Sequence, residues 1–151
     1  MAVASGFFDG KGPYGQDDLL RYYDNIYQSG VSINDAGAMT MAVTGTTGGV
    51  TVAPGFAIIR GAWLYNDTAK TLTVAADPNY TRIDRVVLRL DYSAKTCDII
   101  LKSGTPGSSP VAPALTRNTT YWELSMAQVQ ITKTGSITVT DERAIVSVCG
   151  A

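Results

Sequence analysis

A chain of 151 residues that is 45% hydrophobic and 17% charged is typical of one globular domain, and at this size it buries enough surface to need no disulfide or metal support. The formal net charge of -1 and the lack of a Lys/Arg cluster exclude an attractive field for phosphate backbones, so we expect no nucleic-acid binding. The sequence has no histidine, which removes imidazole-based triads, His-ligated zinc and the usual side chain for proton transfer near neutral pH, and this makes an enzyme less expected without excluding one.

The first 16 residues are rich in glycine and predict an irregular N-terminal arm. This arm carries two adjacent aromatic residues, Phe7 and Phe8. Residues 1–6 have neither a basic region nor a long apolar core, and no later apolar run approaches the length of a membrane span. We therefore expect a chain that is made in the cytoplasm, stays soluble and does not insert into a membrane.

One amphipathic helix is predicted over residues 17 to 29, about 20 Å long at 1.5 Å per residue. Asp17 is a plausible N-cap, and Gly30 offers a C′ position after the last turn. Apolar residues recur between them at helical spacing, at Leu19, Tyr22, Tyr23 and Ile26. We expect the tyrosines to face the core rather than to line a ligand site.

From residue 37 onward the apolar period changes to two, which indicates short strands. Residues 38–43 predict a first strand, and residues 44–49 predict a flexible glycine-rich turn. Pro54-Gly55 predicts a tight turn between two apolar runs. Residues 62–65 and 71–75 predict a further pair of strands.

The strongest β signal is a hairpin formed by residues 82–91 and 97–102, with the polar loop 93–96 between them. Alternation along the first strand separates an apolar face, Val86, Leu88 and Leu90, from a second face that carries Arg85, Val87, Arg89 and Asp91. The second strand repeats this arrangement. We predict that the hairpin lies at the centre of a β domain.

The remaining sequence completes an all-β pattern. Three prolines in residues 103–113 predict a long surface loop, since proline cannot donate to a sheet. Residues 121–131 alternate again, but the apolar side changes near Ala127, where a β-bulge would restore it. Short strands are also predicted near 137–139 and 145–148. We predict an antiparallel β-sandwich with one N-terminal helix, in a single domain over residues 17–151.

Carboxylates are the candidates for acid–base chemistry, but their neighbours favour ion pairs. Asp84 lies among arginines, and Asp141 lies two residues before Arg143. Cys97 and Cys149 match no metal-binding spacing and could form at most one disulfide, and a buried free thiol is the expectation at Cys97. We assign no catalytic, cofactor-binding or metal-binding residue from the sequence.

Several blocks of the sequence carry a family resemblance, at residues 66–67, 82–91, 102–106, 109–117, 121–124 and 141–143 before Cys149-Gly150. Residues 6–8 and the tyrosine-rich helix fit the same pattern. Together they resemble a family from tailed bacteriophages and prophages of Gram-positive hosts. The chain is similar to the N-terminal shoulder-type module of baseplate and receptor-binding tail proteins, including the upper baseplate protein.

The resemblance implies a non-enzymatic virion structural protein of the tail or baseplate, which anchors a fibre or receptor-binding component. Such modules are commonly trimers, so we expect a homo-oligomer, with a trimer favoured, and other tail or baseplate proteins as partners. The candidate interface residues are Phe7, Phe8, Tyr14, Tyr22, Tyr23, Arg85 and Arg89. Family members usually continue into a neck or head domain, so a short attachment protein and a part of a longer receptor-binding protein both stay open.

Two other functions compete with this expectation. The alternative is a carbohydrate-binding module that contacts host cell-surface glycans, with Trp63 and Trp122 as candidates for stacking on a sugar ring. The two tryptophans lie on separate predicted strands, so core or subunit contact is favoured for them. A glycan-cleaving tail enzyme that uses Asp84 or Asp141 is the weakest of the three.

Overall fold

The computed structural model describes residues 13–150, which form mainly antiparallel β structure with one helix. The predicted interface residues Phe7 and Phe8 lie outside the described residues. In chain order the elements are α1 (Gln16–Asp24), β1 (Gly30–Val31), β2 (Val43–Thr46), β3 (Gly49–Val52), β4 (Gly55–Ile59), β5 (Ala62–Asn66), β6 (Lys70–Thr73), β7 (Arg82–Asp91), β8 (Thr96–Lys102), β9 (Tyr121–Ile131) and β10 (Ile137–Asp141). No helix within residues 13–150 is long and apolar enough to cross a membrane.

The helix α1 is shorter than the predicted span of 17 to 29, and both of its ends have a local cause. Asp17 is not the N-cap; it lies in the first turn, and the carboxylate of Asp18 accepts a hydrogen bond from the backbone N–H of Gly15 at 3.0 Å. At the other end, the side-chain amide of Asn25 donates to the carbonyl of Arg21 at 2.7 Å. This bond satisfies a carbonyl of the last turn, and the helix stops there.

The prediction that the helix tyrosines face the core is wrong, since Tyr22 is 47% and Tyr23 is 41% exposed. α1 lies against the turn between β4 and β5 instead of covering a sheet, and it buries none of its side chains. The backbone of Leu20 approaches Gly61 so closely that a Cβ at position 61 would collide with the Leu20 carbonyl. This contact holds the helix at the rim of the sandwich, where Leu19, Tyr22 and Tyr23 are exposed.

Two small sheets form one side of the molecule, with strand orders β1-β4-β5 and β2-β3-β6. The predicted pairing of residues 62–65 with 71–75 is wrong: β5 pairs with β4, and β6 pairs with β3. Arg60 and Gly61 both have positive φ and form the two-residue turn that joins β4 to β5 directly. The predicted strand at 38–43 is largely irregular, and the predicted turn at 44–49 contains most of the hairpin β2–β3.

The third sheet has the order β10-β9-β7-β8, and its β7–β8 pair is the predicted hairpin. Arg89 lies opposite Asp98, and the two strands are joined by a short turn. The predicted bulge in β9 is also confirmed. Val86 pairs with Ala127 while Val87 pairs with Ser125, so Met126 is the extra residue. The bulge returns the apolar residues of β9 to the inner face of the sheet.

The core lies between the two small sheets and the four-stranded sheet, which confirms the predicted β-sandwich with one helix. The small sheets contribute Val50, Val52, Ala57, Ile59 and Leu64, and the large sheet contributes Val86, Leu88, Leu124, Met126 and Val129. These side chains are nearly inaccessible to solvent. Their packing stabilises the sandwich because it removes apolar area from water.

β10 pairs only with residues 127–131 of β9. Ahead of them, the backbone of β9 is hydrogen-bonded by the end of the loop 103–120 and by residues 142–148. The N–H of Glu123 donates to the carbonyl of Thr116, and the N–H of Ser125 donates to the carbonyl of Val148. The predicted strand at 145–148 is a turn. The guanidinium of Arg117 donates to the carbonyls of both Ser147 and Val148, which ties these two segments together.

Replacing Gly104 by alanine is expected to lower the free energy of unfolding by about 1–3 kcal/mol, because the added Cβ would collide with the carbonyl of Ile83. The N–H of Gly104 also donates to the carboxylate of Asp84, so a backbone shift there would weaken a buried contact. Urea denaturation measures this change. Gly107→Ala in the same loop is the matched control, since its Cβ meets nothing within 4 Å. Equal stability of the two variants would contradict this close packing at Gly104.

Candidate docking surface

A set of exposed apolar and aromatic side chains from α1, the turn after it and β5 forms a surface that we call the aromatic face. Its members are Leu19, Tyr22, Tyr23, Ile26, Tyr27, Trp63 and Tyr65. Strand alternation explains the β5 part: Leu64 points into the core, so its neighbours Trp63 and Tyr65 point outward and are 67% and 66% exposed. The helical part is exposed because α1 is held at the rim of the sandwich.

Ring contacts occur within both the helical part and the strand part of the aromatic face. The rings of Tyr23 and Tyr27 stack with their centroids 6.1 Å apart, and Tyr22 meets Tyr23 edge to face at 5.4 Å. On the sheet, Trp63 stacks on Phe56 of β4 at 6.3 Å. Large side chains with this much exposed apolar area are typical of protein or ligand contact sites.

A groove of about 360 Å³ runs between α1 and the strands, and we call it the α1 groove. Its apolar lining comes from one helix and three strands: Leu19, Leu20 and Tyr23 of α1, Trp63 of β5, Leu90 of β7 and Cys97 of β8. Polar groups at its rim include Gln16, Asp91, Lys95 and Thr96. The carboxylate of Asp91 already accepts hydrogen bonds from the N–H groups of the β7–β8 turn. The groove has the size and the apolar character of a site for one or two side chains or a small ligand.

Arg85 and Arg89, which the sequence suggests as interface residues, lie on the other side of the large sheet from the core. The Arg85 side chain is only 14% exposed and lies 3.6 Å from Glu142. Arg89 donates two hydrogen bonds to one carboxylate oxygen of Glu123, from Nη2 at 2.6 Å and from Nε at 2.9 Å. Tyr14, a third interface candidate, is half-buried ahead of α1. An interface role for these three residues stays a prediction.

The two arginines belong to a polar layer on the outer face of the large sheet, in which Glu123, Ser125 and Glu142 are buried and the other members are partly exposed. The layer is formed by Arg85, Arg89, Lys102, Glu123, Ser125, Gln128 and Glu142. Glu123 is fully buried at its centre. Its second oxygen accepts hydrogen bonds from Lys102 Nζ and from the N–H of Thr116, each at 2.7 Å. The cations therefore compensate the buried negative charge directly.

Two opposing effects set the pKa of Glu123. Burial raises this pKa, but the hydrogen bonds from Lys102, from the Thr116 N–H and from Arg89 together lower it by more than burial raises it. The pKa therefore lies below its ordinary value. A carboxyl group with this shift contributes stability above its unfolded pKa of about 4.3 and loses that contribution as the pH falls through the folded pKa. Glu123 thus favours the folded state at neutral pH.

We expect the free energy of unfolding to decrease more steeply between pH 7 and pH 3 in the wild-type protein than in Glu123→Gln, because the glutamine does not titrate. Urea denaturation at a series of pH values measures the two slopes. Asp141 also has a lowered pKa, caused mainly by its hydrogen bond from Arg143, and it keeps a residual slope in the variant. Equal slopes for the two proteins would contradict the conclusion that Lys102, Arg89 and the Thr116 N–H lower the pKa of Glu123.

The expected ion pairs of Asp84 and Asp141 are confirmed. Arg82 binds both oxygens of the buried Asp84 at 2.7 and 3.0 Å. Arg143 binds both oxygens of Asp141, at 2.9 and 2.7 Å, and also donates to two backbone carbonyls near β2. Within residues 13–150, no group of three or more His, Cys, Asp or Glu side chains is arranged to hold a metal ion.

The two tryptophans do not share a cleft. Trp122 is half-buried, and the guanidinium groups of Arg60 and Arg117 lie over its ring at 4.4 and 5.5 Å from the centroid. It therefore offers much less free ring surface than Trp63. Both cysteines are free; Cys149 is buried and Cys97 is partly buried, and burial raises the pKa of each thiol to about 11.

The sequence did not indicate the α1 groove or the polar layer around Glu123. The groove forms where α1, β5 and the β7–β8 hairpin meet, and the order of the strands was not predicted. The polar layer had one signal: Glu123 interrupts a largely apolar strand, and a buried carboxylate needs cationic partners. The pairing of Arg89 with Glu123 could have been proposed only with the register of β7 against β9.

No protein-family model and no curated protein matches the chain. Among solved structures, the chain is similar to the gene 22 product of the Bacillus subtilis phage SPP1, with 11% sequence identity. The match covers 76% of this chain and 83% of that chain, with a TM-score of 0.48. At this identity and overlap, the similarity assigns no function to the chain.

Proposed function

We propose that this chain is a non-enzymatic structural protein of a phage tail or baseplate, which assembles through protein–protein contacts and anchors a fibre or receptor-binding component. The observation that carries the proposal is the aromatic face. Trp63 and Tyr65 are each about two-thirds exposed on a strand whose other side is core. Tyrosine and tryptophan are enriched at the energetic centres of protein interfaces, where neighbouring subunits exclude water from them.

The arrangement of charges supports an assembly role. The buried carboxylates Asp84 and Glu123 are both held in ion pairs: Asp84 accepts hydrogen bonds from Arg82 and the Gly104 N–H, and Glu123 accepts them from Arg89, Lys102 and the Thr116 N–H. A general acid or base must instead exchange a proton with a substrate in a cleft. The ion pairs tie surface segments to the sheet, which suits a rigid building block.

The tail or baseplate location rests on the sequence blocks that resemble shoulder-type modules. Two of these blocks, residues 82–91 and 109–117, surround the polar layer in the folded chain. They build the framework of the large sheet and its covering loop. The aromatic face, on the opposite side of that framework, is left for contacts with neighbouring subunits or tail proteins.

A carbohydrate-binding module is the second candidate, and the exposure of Trp63 is the observation that favours it. The exposed indole lies at the α1 groove beside the polar rim residues Gln16, Lys95 and Thr96. Aromatic faces flanked by hydrogen-bonding groups suit a sugar ring. Trp122 does not contribute, since two arginines already lie over its ring.

A composition measurement on purified tailed particles tests the proposal. Mass spectrometry of these particles is expected to detect this chain in a fixed molar ratio to the other tail proteins. A glycan array and a cell-wall pull-down with the purified chain test the second candidate. Val111→Ser is the control for Trp63→Ser, since Val111 is also an exposed apolar residue and lies on the loop 103–120. The second proposal would replace the first if the chain is absent from particles and binds glycans in a way that Trp63→Ser abolishes and Val111→Ser leaves intact.

A further inference from the structure

Three loops meet at the end of the sandwich that lies away from the α1 groove, and they form a pocket of about 440 Å³ that we call the end-loop pocket. The loops are residues 74–81 before β7, the loop 103–120 after β8, and the turn 132–136 between β9 and β10. β7 begins next to the pocket and ends at Asp91, which lines the α1 groove. Ten residues of extended strand therefore place the two sites about 30 Å apart.

Hydrogen bonds position the three loops around the end-loop pocket. The N–H of Gly107 donates to the carbonyl of Thr81 at 3.1 Å and joins the first two loops. The carboxylate of Asp77 accepts hydrogen bonds from two successive N–H groups, the second of which belongs to Tyr80, at 2.8 Å. The turn 132–136 is closed by its own backbone hydrogen bonds. Walls that are already positioned lose little conformational entropy when a ligand binds.

The lining of the end-loop pocket is polar and includes one aromatic ring, that of Tyr80, which is 51% exposed. Asn79, Ser108 and Lys133 also line it, and within residues 13–150 none of these three side chains has a hydrogen-bond or ion-pair partner. An amide, a hydroxyl and an ammonium group together offer donors and acceptors to a ligand, while the ring offers an apolar face. A saccharide matches this combination, because its hydroxyl groups lie at the edge of the ring and its C–H groups lie on the faces.

The charge of the lining favours a saccharide with an acidic group. Lys133 is the one charged residue among the described residues that line the pocket. The carboxylate of Asp77, in the loop before β7, already binds N–H groups of its own loop. An ammonium group forms charge-assisted hydrogen bonds with a carboxylate or a phosphate, and these are stronger than bonds to a neutral group.

We propose that the end-loop pocket binds an acidic saccharide, with one sugar ring packed on Tyr80 and its carboxylate or phosphate group at Lys133. Gly107 leaves room for this ring, since a Cβ at that position would meet no described atom within 4 Å. The pocket volume of about 440 Å³ lies in the range of small-ligand sites. The site shares no residue with the aromatic face, and saccharide binding there does not depend on a virion role.

An array of acidic and uncharged bacterial polysaccharides, probed with the purified full chain, tests this proposal. We expect the wild type to bind acidic members of the array. Gly107→Leu is expected to weaken this binding about tenfold or more, because the leucine fills the pocket without removing any of its polar groups. Tyr80→Ser is expected to have a similar effect. Val111→Ser, an exposed position on the loop 103–120 that does not line the pocket, is the control and is expected to bind as the wild type does.

Lys133→Ala tests the contribution of charge, and it is expected to remove the preference for acidic over uncharged polysaccharides. High salt is expected to have the same effect on the wild type, since Lys133 is exposed. If circular dichroism shows that Gly107→Leu is not folded, the double variant Tyr80→Ser with Lys133→Ala replaces it. The oligomeric mass of each variant is expected to equal that of the wild type, so loss of saccharide binding is distinguishable from loss of assembly.

Two results would overturn the proposal. The first is a lack of binding by the wild type to every member of the array, or equal binding by the wild type, Tyr80→Ser and Gly107→Leu. The second is binding that Trp63→Ser abolishes and Gly107→Leu retains, which would place the saccharide at the aromatic face instead.

Discussion

Replacing Trp63 and Tyr65 together by serine is expected to abolish the association of this chain with its neighbours while leaving the subunit folded. Truncation of one central interface residue costs about 2 kcal/mol or more, which is close to a 30-fold loss of affinity for each position. Both side chains are about two-thirds exposed and point away from the core, so the serine variants lose little stability. Sedimentation equilibrium measures the dissociation constant.

Val111→Ser is the matched control for this prediction. Val111 is 75% exposed, but it lies on the loop 103–120, away from α1 and β5. The control variant is expected to associate as the wild type does. Association that is equally strong in the Trp63/Tyr65 double variant would show that the aromatic face is not the assembly surface.

Replacing Glu123 by alanine is expected to lower the free energy of unfolding by about 3–5 kcal/mol. The variant leaves the guanidinium of Arg89 and the ammonium of Lys102 on the polar layer without the carboxylate that both of them bind. It also removes the acceptor of the Thr116 N–H and so loosens the loop 103–120 from β9. Urea denaturation at pH 7 measures the loss.

Asp98→Ala gives the contrast for Glu123→Ala. Asp98 also pairs with a lysine, Lys70, at 2.6 Å, but its side chain is 62% exposed. An exposed pair contributes only about 0–1 kcal/mol, because water solvates both charges well in its absence. Similar losses for the two variants would mean that burial does not set the strength of the Glu123 contacts.

The hairpin β7–β8 and the bulge in β9 could be predicted from sequence because both depend on alternation over a few neighbouring residues. The apolar side of β7 continues through Val86 and Leu88, and in β9 the side changes at Met126-Ala127. Such changes of parity are visible in one strand without knowledge of its partner. The class of fold followed from the same local signals.

The pairing of β5 and the orientation of α1 could not be predicted in this way. The turn Arg60-Gly61 contains one glycine and an arginine with positive φ, which is an uncommon signal for a two-residue hairpin. The helix has apolar residues at regular spacing, which usually indicates a buried face. Here the close contact of Leu20 with Gly61 holds that face away from the core, and only tertiary packing decides this.

Of the candidate surface, the sequence indicated Tyr22, Tyr23 and Trp63 separately but not their common face. Trp63 was considered for sugars and the tyrosines for subunit contacts, and the structure places Trp63 and Tyr23 along one groove. Arg85 and Arg89 were grouped with them, yet both lie in the polar layer, where they face the buried carboxylates Glu142 and Glu123. The surroundings of each residue depended on which strands are neighbours.

The mass of the purified chain in solution, measured by sedimentation equilibrium or native mass spectrometry, tests the assembly role most directly. The proposed function predicts a stable homo-oligomer, with a trimer favoured, whose mass is a fixed multiple of 16.0 kDa over a range of concentrations. A strict monomer at all concentrations that binds glycans through Trp63 would contradict it and would assign the aromatic face to carbohydrate recognition.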